Sequence, residues 1–337
     1  MKVILALDAM GGDHGPCEII PAALYKLERH ENLHLILVGQ EEVLHKMLAA
    51  HHAAESDRLH VQHAPEIVEM HELPSLALRN KKDSSMRIAI DLVKEGKAQA
   101  AVSAGNTGAL MAMARFVLKM LPGIDRPAIC STMPGLEGNT HLLDLGANVD
   151  SSSEQLFQFA VMGAELTSAV NNKPNPTVGL LNIGAEEIKG NDRVKQAATL
   201  LSNSHLNYIG FVEGNDIYTG KVDVIVCDGF VGNIALKSSE GVASFLMHKA
   251  RAQFNETLYG RIAAWISMPV LKAILRTIDP RRYNGASLLG LRGIVIKSHG
   301  SADKVSFAHA IEEAIVEVEK NVPQRINSEL EKLFPEG

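Results

Sequence analysis

The sequence predicts an α/β fold whose sheet is mostly parallel and is covered by helices on both faces. Short apolar runs alternate along the chain with longer segments of helical periodicity, which is the pattern of doubly wound sheets. The apolar residues are mainly Ala, Val, Ile and Leu, because only 4% of the 337 residues are aromatic. Such residues suit parallel strands buried on both faces. The length fits one large domain or two lobes, and we predict a single domain over residues 1–337.

The strand candidates are short apolar runs, and helical patterns follow most of them. In chain order they are Val3–Leu7, His34–Val38, His60–Gln62, Ala98–Val102, Ala128–Ser131, His141–Leu145, Val178–Asn182, Tyr208–Val212, Val222–Cys227 and Gly293–Lys297. The first run leads directly into Asp8 and glycines, so we interpret it as a strand rather than a signal peptide. No stretch approaches the roughly 20 uncharged apolar residues that a membrane-spanning helix needs.

Many of these strands are followed by loops that combine Gly with Asp, Asn or Ser. The loops cover residues 8–15, 103–108, 144–148, 182–184, 228–233 and 298–301. In an open parallel sheet the carboxyl ends of the strands share one edge, and ligands bind there. We therefore expect these loops to line one cleft, although each loop alone is also explained by a tight strand-to-helix turn.

The loops predict an anion site, because exposed backbone N–H groups at a helix amino terminus bind anions. The candidate phosphate- and substrate-binding residues are Gly11, Gly12, Asp13, Ser103, Gly105, Asn106, Thr107, Asp144, Asn148 and Gly232. The first loop lacks the G-x-G-x-x-G spacing, and no Walker A lysine loop is present. A simple phosphate is therefore favoured over a nucleotide, and we expect no cofactor.

Three side chains are candidates for catalysis. Lys189 follows a strand candidate and is placed to neutralise phosphate and a tetrahedral oxyanion, although loop lysines are often only solvated. Asn233 is a candidate oxyanion donor, or an ordinary helix N-cap. His14 is a candidate proton donor, or one incidental member of the 14 histidines. No residue carries a local nucleophile signature, so we predict no covalent acyl-enzyme.

The overall charge and the cysteines argue against several classes of function. The formal net charge is −6 without a charged tail, which disfavours nucleic acid as a partner. The 3 cysteines, Cys17, Cys130 and Cys227, are scattered along the chain. Their spacing predicts no metal site and fits a reducing cytoplasm.

A dense basic turn spans residues 79–87. Its cationic residues are Arg79, Lys81, Lys82 and Arg87. A local basic cluster of this kind attracts an acidic protein, whereas the alternative is a solvated basic turn. Asp83 or Ser84 is expected to cap the helix that follows.

Residues 232–282 contain no strand candidate and predict a helical excursion. An apolar stripe recurs about every four residues, and cationic residues lie beside it. The candidates for membrane contact are Leu258, Ile262, Trp265, Ile266, Leu271 and Ile274. Pro269 is expected to divide the stripe into two helices. The pattern fits a helix pair at a membrane surface, or a hairpin that forms a dimer or covers the core.

Several stretches, in the right order, resemble the bacterial phosphate acyltransferase family, the PlsX family. They are LDAMGGD (7–13), KKDSSM (81–86), AVSAGNTGAL (101–110), LDLGAN (143–148), GLLNIG with EEIKGN (179–184 and 186–191) and VCDGFVGN (226–233). The likeness runs over essentially the whole chain, so its order and extent make it specific.

The resemblance implies a Rossmann-like three-layer α/β/α fold akin to phosphotransacetylases and isopropylmalate-dehydrogenase-like proteins. It implies transfer of a fatty acyl group from acyl-carrier protein to inorganic phosphate. The acyl phosphate product would feed a membrane glycerol-3-phosphate acyltransferase in phospholipid synthesis. The resemblance also implies a homodimer, peripheral membrane attachment through the excursion, and active-site roles for Lys189 and Asn233.

Three other functions remain open on the sequence. A phosphotransacetylase would use short acyl-coenzyme A, and the apolar excursion counts modestly against it. An NAD-dependent decarboxylating dehydrogenase of similar fold would need a metal-binding carboxylate cluster, for which we find no clear spacing. A non-catalytic scaffold would gather carrier protein and acyltransferase at a membrane surface.

Overall fold

The computed structural model describes residues 1–333, apart from the side chains of residues 272, 274–278 and 280. Within this range an 11-stranded sheet has the order β3-β2-β1-β4-β11-β10-β5-β6-β9-β7-β8. The strands are β1 (Val3–Asp8), β2 (Leu33–Gly39), β3 (Leu59–His63), β4 (Ala100–Ser103), β5 (Ala128–Pro134), β6 (Asn139–Leu143), β7 (Thr177–Leu181), β8 (Asn207–Val212), β9 (Val224–Val226), β10 (Ala286–Leu289) and β11 (Ile294–Lys297).

Helices cover both faces of this sheet. They are α1 (Pro16–Leu27), α2 (Glu41–Ala50), α3 (Pro74–Asn80), α4 (Ser85–Lys94), α5 (Thr107–Leu118), α6 (Ser153–Asn171), α7 (Asp192–Ser202), α8 (Gly229–Glu256), α9 (Leu258–Ile278), α10 (Lys304–Lys320) and α11 (Val322–Leu333). Short 3-10 helices occupy Asp216–Tyr218 and Pro280–Tyr283. The predicted α/β class with a mostly parallel sheet is confirmed, and every strand candidate overlaps an observed strand.

The structure adds one strand that the sequence pattern did not predict. β10 has only 4 residues, ASLL, and pairs antiparallel with both β11 and β5. Its first residues carry no alternation of polar and apolar side chains, and Gly285 and Gly290 enclose it at positive φ. The sequence of this segment therefore suggests a turn. Its strand conformation becomes evident only from its pairing with β11 and β5.

The sheet consists of two parallel halves that run in opposite directions. β3, β2, β1, β4 and β11 form the first half-sheet, and β6, β9, β7 and β8 form the second. Three successive antiparallel pairs, β11 with β10, β10 with β5 and β5 with β6, separate them. The expectation that all strand carboxyl ends share one edge is therefore wrong, because an odd number of reversals places the two sets at opposite edges.

Apolar packing follows from burial of the strands on both faces. On one face of the first half-sheet, α1 and α10 bury residues such as Ile20 and Ile311 against the strands. On its other face, α4 and α5 bury Ile90 and Met113. In the second half-sheet, α6 covers β6 and β9 with Phe159 at 0% exposure. The result is a three-layer arrangement in which loops at strand ends remain accessible.

The helical excursion is a pair of helices that turns at Thr257. Thr257 is extended, and its side chain caps α9 by accepting a hydrogen bond of 2.9 Å from the Gly260 N–H. The prediction that Pro269 divides the apolar stripe is wrong, because α9 continues through Pro269. A proline inside a helix removes one hydrogen bond and kinks it, whereas the extended Thr257 ends α8 outright. Among the described helices, none combines the length and apolarity needed to span a membrane.

Candidate functional site

The loops after β1, β4 and β11 interlock into a first loop cluster, which comprises residues 8–15, 103–107 and 297–301. The Asp13 N–H donates to the Gly300 oxygen at 2.8 Å, and the Ser298 N–H donates to the Ser103 oxygen at 2.8 Å. A Cβ on Gly12 would lie 2.8 Å from the Gly300 oxygen, and Gly12 has a φ of 86°. Glycine is required there both by its backbone conformation and by this close approach.

Asp8 lies at the base of the first loop cluster and is 1% exposed. One of its carboxylate oxygens accepts a hydrogen bond of 2.6 Å from the Ser103 hydroxyl, while the other, Oδ1, has no hydrogen-bond partner within the described part of the chain. Burial raises the pKa of Asp8, and nearby Ser103, Ser85 and backbone groups oppose the rise only in part. The carboxyl therefore takes up a proton more readily than an exposed aspartate does.

Lys297 brings a buried positive charge to the same cluster. Its ammonium group donates to the carbonyl oxygens of Ala104, at 3.3 Å, and Ser298. Burial lowers the pKa of Lys297 to about 8, although the carboxylates of Asp8 and Asp13 oppose this change. The sequence analysis missed both Asp8 and Lys297 as site residues. Their position as charged last residues of otherwise apolar strands was the signal that would have found them.

The remaining candidates of the first half-sheet border this cluster. Asn106 caps α5 by accepting from the Ala109 N–H at 3.0 Å, and its amide donates to the Met70 oxygen at 2.8 Å. Thr107 is exposed at the start of α5, and His14 is exposed in the first loop. Gly11 and Gly105 are buried, and a Cβ on Gly11 would lie 2.5 Å from the Asp8 carboxylate.

The basic turn lies next to the first loop cluster through α4. Ser84 caps α4, which confirms one of the two cap candidates. Arg79 and Lys82 are exposed and Lys81 is half-buried. Arg87 is less free, because it forms a 3.0 Å ion pair with Asp91 and also lies over the Phe116 ring. A role of this turn in docking stays a prediction.

The loops after β6 and β9 form a second loop cluster, which comprises residues 144–150 and 227–233. Asp144 is buried, and its two oxygens accept hydrogen bonds from the backbone N–H groups of Ile129, Gly146, Ala147 and Asn148 and from the Asn148 amide. That amide also donates to the Pro127 oxygen at 2.8 Å. Burial raises the pKa of Asp144, and these donors oppose the rise. Asp144 and Asn148 thus shape the loop from inside, and contact of either with substrate stays a prediction.

Asn233 is the last residue of this cluster and projects from the first turns of α8. α8 is capped by Asp228, which accepts from the Val231 N–H at 2.8 Å. The alternative that Asn233 is a helix N-cap is therefore wrong. A Cβ on Gly146 would lie 3.7 Å from the Asn233 Oδ1 atom, and Gly232 packs against the Asp144 carbonyl with no room for a side chain. The exposed amide of Asn233 is consequently held at the mouth of the Asp144 loop.

Lys189 lies in the neighbouring loop of the same half-sheet. This loop follows β7, which pairs with β9, so it emerges at the same edge as the second loop cluster. The Asn182 amide fastens the loop by donating to the Lys189 carbonyl at 3.3 Å, and Arg193 pairs with Asp150 at 3.1 Å across to the second loop cluster. The Lys189 side chain is exposed and is therefore available to an anion.

The structure thus brings Lys189, Asn233, Asp144, Asn148 and Gly232 to one edge. It places His14 and the glycines after β1 and β4 at the other edge. α8 begins in the second loop cluster, and the charge of its Lys237 contributes to the lowered pKa values of Lys297 and His299 in the first loop cluster. A site that uses both groups would lie between the two loop clusters, in the region that we call the crevice, and not at a single sheet edge.

The cysteines offer no activated nucleophile in this crevice. Cys130 and Cys227 are buried, and burial raises the pKa of both thiols well above the usual value. Cys17 is exposed on α1. Over residues 1–333, no group of three or more His, Cys, Asp or Glu side chains is placed to hold a metal ion.

The apolar stripe of the excursion faces solvent in this single chain. The exposed fractions are 75% for Leu258, 51% for Ile262, 79% for Trp265 and 66% for Ile266. Leu271 is partly exposed, and the Ile274 side chain lies outside the described part of the structure. The surface is available for a partner or a membrane, and which of them covers it stays a prediction.

Comparisons with known proteins agree over the whole length of the chain. The family described as fatty acid synthesis protein matches residues 3–325. A phosphate acyltransferase of Methylococcus capsulatus is 62% identical over 330 residues, which cover 98% of this chain and 97% of that protein. A phosphate acyltransferase of Nitrosococcus oceani is 60% identical over 337 residues, covering 100% and 99%.

Solved structures share the fold at much lower identity. The EutD phosphotransacetylase of Staphylococcus aureus has a TM-score of 0.62 at 16% identity and covers 95% of this chain and 94% of its own. A 4-hydroxythreonine-4-phosphate dehydrogenase of Klebsiella pneumoniae has a TM-score of 0.54 at 15% identity, covering 94% and 98%. Enzymes of different chemistry therefore share this architecture, and these likenesses concern the fold alone.

Proposed function

Because the chain belongs to the fatty acid synthesis protein family, the PlsX phosphate acyltransferases, we propose that it transfers a long-chain fatty acyl group from acyl-carrier protein to inorganic phosphate. The chain is an acyltransferase, because two phosphate acyltransferases are 62% and 60% identical to it over almost their entire length. That full-length identity is the observation that carries the reaction. The exposed basic turn supports acyl-carrier protein as the donor, and the shared sheet edge of the Lys189 and Asn233 loops supports the mechanism.

The proposed mechanism is a direct attack of phosphate on the thioester. A phosphate oxygen forms a bond to the carbonyl carbon, the carbon–sulfur bond breaks, and the departing thiolate takes up a proton. No protein nucleophile is needed, which suits a crevice whose buried cysteines have raised pKa values. The protein then contributes positioning and stabilisation of negative charge.

Lys189 and Asn233 are the proposed catalytic residues. Lys189 neutralises phosphate and the tetrahedral intermediate, and the Asn233 amide donates to the oxyanion. Their loops leave the same edge of neighbouring strands, and both side chains are exposed. His14, on the opposite loop cluster, is a weaker candidate for protonating the thiol, and water would serve equally.

The acidic carrier protein is proposed to dock on the basic turn of residues 79–87. Arg79 and Lys82 present exposed charge beside the first loop cluster. Opposite charge mainly accelerates encounter. We further propose a cytoplasmic homodimer attached peripherally to the membrane through the exposed stripe of α9. It would supply acyl phosphate there to a membrane glycerol-3-phosphate acyltransferase.

The test is an assay of purified protein with long-chain acyl-carrier protein and phosphate, which measures acyl phosphate and free carrier. Parallel reactions contain acyl-coenzyme A in place of the carrier, or no phosphate. Phosphate-dependent product from the carrier substrate alone supports the proposal. Product from acyl-coenzyme A alone would make the chain a phosphotransacetylase. No product from folded protein would favour the scaffold.

Substitutions of the two catalytic residues test the mechanism. Lys189→Ala and Asn233→Ala should each lower kcat by about 100-fold, the usual effect of losing one group that stabilises an oxyanion. Lys195→Ala, on the adjoining helix α7, is the matched control and should retain activity. If Lys189→Ala keeps near-normal turnover at saturating phosphate, the role assigned to Lys189 is wrong.

A further inference from the structure

The ring of Phe116 projects from the outer face of α5 and is 54% exposed. The guanidinium carbon of Arg87, on α4, lies 5.6 Å from the ring centroid, and the ammonium nitrogen of Lys119 lies 4.8 Å from it. Both distances are within the range of a cation–π interaction. Two cations therefore hold an exposed aromatic ring in place. Such a ring loses little conformational freedom when a partner covers it, which is typical of the residues that anchor an interface.

The segments around this ring are fixed to one another at the carboxyl end of α5. The Arg292 N–H donates to the Lys119 carbonyl oxygen at 3.1 Å. A Cβ on the next residue, Gly293, would lie 2.9 Å from Val93 of α4 and 3.3 Å from Leu118 of α5. The turn between β10 and β11 is therefore packed against both helices, and its cationic residue is held beside the end of α5.

Positive charge surrounds the ring. Arg115, Lys119 and Arg292 are exposed, and none of the three forms an ion pair among the side chains that the structure describes. The Arg87 side chain is 16% exposed and pairs with Asp91 at 3.0 Å, which offsets one of the four cations. The whole chain has a net charge of −6, so this surface differs in sign from the average. A local positive field attracts an acidic partner.

We call this set of residues the Phe116 surface; it comprises Arg87, Arg115, Phe116, Lys119 and Arg292. It is continuous with the basic turn of residues 79–87, because Arg87 belongs to both. At a rise of about 1.5 Å per residue, Phe116 lies about 14 Å along α5 from Thr107, which borders the first loop cluster. A protein bound at Phe116 therefore lies beside the helix that leads to this cluster.

A second copy of this chain fits the Phe116 surface less well than an acidic protein does. A twofold dimer places the same patch of each subunit against its counterpart. Lys119 would then face the cations of the other copy, and like charges across an interface are unfavourable. A lipid surface also fits less well. Phe116 offers it one exposed ring, whereas more than half of each of four apolar side chains is exposed on α9, namely Leu258, Ile262, Trp265 and Ile266.

We propose that the acidic acyl-carrier protein docks on the Phe116 surface, with the Phe116 ring as the anchor and the surrounding cations as partners for its carboxylates. The proposal rests on the proposed function, because that function names the carrier protein as the acyl donor. The basic turn contributes through charge, whereas Phe116 makes an apolar contact. Removing Phe116 should therefore weaken binding even at high salt, where interactions between exposed charges are screened.

The first experiment measures the binding of acyl-carrier protein that carries no acyl group, so that no turnover occurs. Phe116→Ala should raise its Kd at least about tenfold, the usual effect of removing an aromatic anchor, and Phe116→Tyr should keep it within about twofold. The loss in Phe116→Ala should remain at about 0.5 M salt. The matched control is Leu200→Ala on α7, where the leucine is also exposed, by 38%. An unchanged Kd in Phe116→Ala would overturn the proposal.

Charge reversals test the cations without touching the core. Lys119→Glu and Arg292→Glu alter exposed side chains, and each should raise the Kd for the carrier protein at low salt but not at about 0.5 M salt. Sedimentation should show an unchanged oligomeric state, and flotation with phosphatidylglycerol vesicles unchanged lipid binding. A changed oligomeric state or a loss of vesicle binding, with an unchanged Kd for the carrier protein, would overturn the proposal in favour of a second copy or a membrane.

Steady-state kinetics separates docking from chemistry. In Phe116→Ala, KM for acyl-carrier protein should rise at least about tenfold, while kcat and KM for phosphate change by less than about twofold. A fall in kcat with an unchanged KM for the carrier protein would overturn the docking role. If the carrier protein binds through Phe116 but no acyl phosphate forms, the docking surface stands and the proposed reaction is wrong. If acyl phosphate forms and Phe116→Ala binds the carrier protein normally, the reaction stands and the docking surface is wrong.

Discussion

The two loop clusters use a buried aspartate in opposite ways. Asp8 ends β1 in the first half-sheet, and Asp144 follows β6 in the second; both are at most 1% exposed. Asp144 accepts from the N–H groups of its own loop with both oxygens, and also from the Ile129 N–H of β5. Asp8 accepts a hydrogen bond from the Ser103 hydroxyl, and its second oxygen has no hydrogen-bond partner among the residues that the structure describes. Burial raises the pKa of each.

The Asp144 carboxylate holds its loop in place through hydrogen bonds. The Asp8 carboxylate makes fewer hydrogen bonds and responds to nearby charge. The N–H donors around Asp144 hold the turn that meets Gly229 and Gly232 of α8. Asp8 lies instead within reach of the charge of Lys297. The same residue type, after the same kind of strand, therefore serves structure in one half-sheet and electrostatics in the other.

The same substitution at both positions should have the largest effect on stability and is the most direct way to break this comparison. Asp144→Asn places an amide against several N–H donors and should lower the free energy of unfolding by about 4 kcal/mol. Asp8→Asn should change it by less than about 1 kcal/mol, because the altered atom loses no strong donor. Guanidinium unfolding of both variants measures the difference.

Asp150→Asn is the control for this pair, since its side chain is 80% exposed and bonds only to the exposed Arg193 among the contacts described. It should change stability by less than about 0.5 kcal/mol. Equal losses for Asp8→Asn and Asp144→Asn would contradict the division of roles.

The pH dependence of stability should sharpen the account of the first loop cluster. The pKa of Lys297 is about 8 in the folded protein and about 10.4 when unfolded. Between these values the unfolded state binds more protons, so Lys297 adds stability as pH rises, by up to about 3 kcal/mol. Lys297→Met should lack this rise. Matching slopes between pH 8 and 10.4 in the two proteins would contradict the lowered pKa of Lys297.

Removing helix caps at the two clusters should give smaller effects that differ in kind. Asp228→Ala and Ser84→Ala each remove a cap and should cost about 1 kcal/mol of stability. Only Asp228→Ala should also lower kcat, because Asp228 fixes the turn of α8 that carries Asn233. Asp228→Asn, which keeps a capping oxygen, should restore both. An equal loss of kcat in Ser84→Ala would place the catalytic turn elsewhere.

The smallest effect concerns the basic turn, which borders the first loop cluster only. Lys82→Glu should reduce kcat/KM for acyl-carrier protein by a few fold at low salt, and the reduction should vanish above about 0.5 M salt because screening suppresses steering. Lys94→Glu, exposed at the far end of α4, should have no effect. A loss that persists at high salt would indicate a contact rather than long-range attraction.

The sequence predicted the positions of the strands and helices better than it predicted which strands run parallel to one another. The apolar runs located the parallel strands, because strands buried on both faces need continuous Val, Ile and Leu. The short β10 carries no such pattern, and its omission concealed the reversal between the half-sheets. Thr257 rather than Pro269 ends the first helix of the excursion, since a helix tolerates a kink more easily than an extended residue.

Within the site, glycine and polar loops were visible in the sequence but their partners were not. Asp144 and Asp8 have similar sequence contexts. They are distinguished only by their contacts with residues that are distant in the sequence.

The seam at β10 also has a mechanical consequence. Only Ala286 and Ser287 of β10 pair with β11, whereas β1 pairs with β2 over its full length. A rotation of one half-sheet against the other would therefore strain few backbone hydrogen bonds, and we expect it to act as a hinge that widens the crevice. Amide hydrogen exchange should be faster at residues 286–287 than at residues 5–7. Equal protection of the amides at residues 286–287 and 5–7 would indicate that the sheet is rigid across β10.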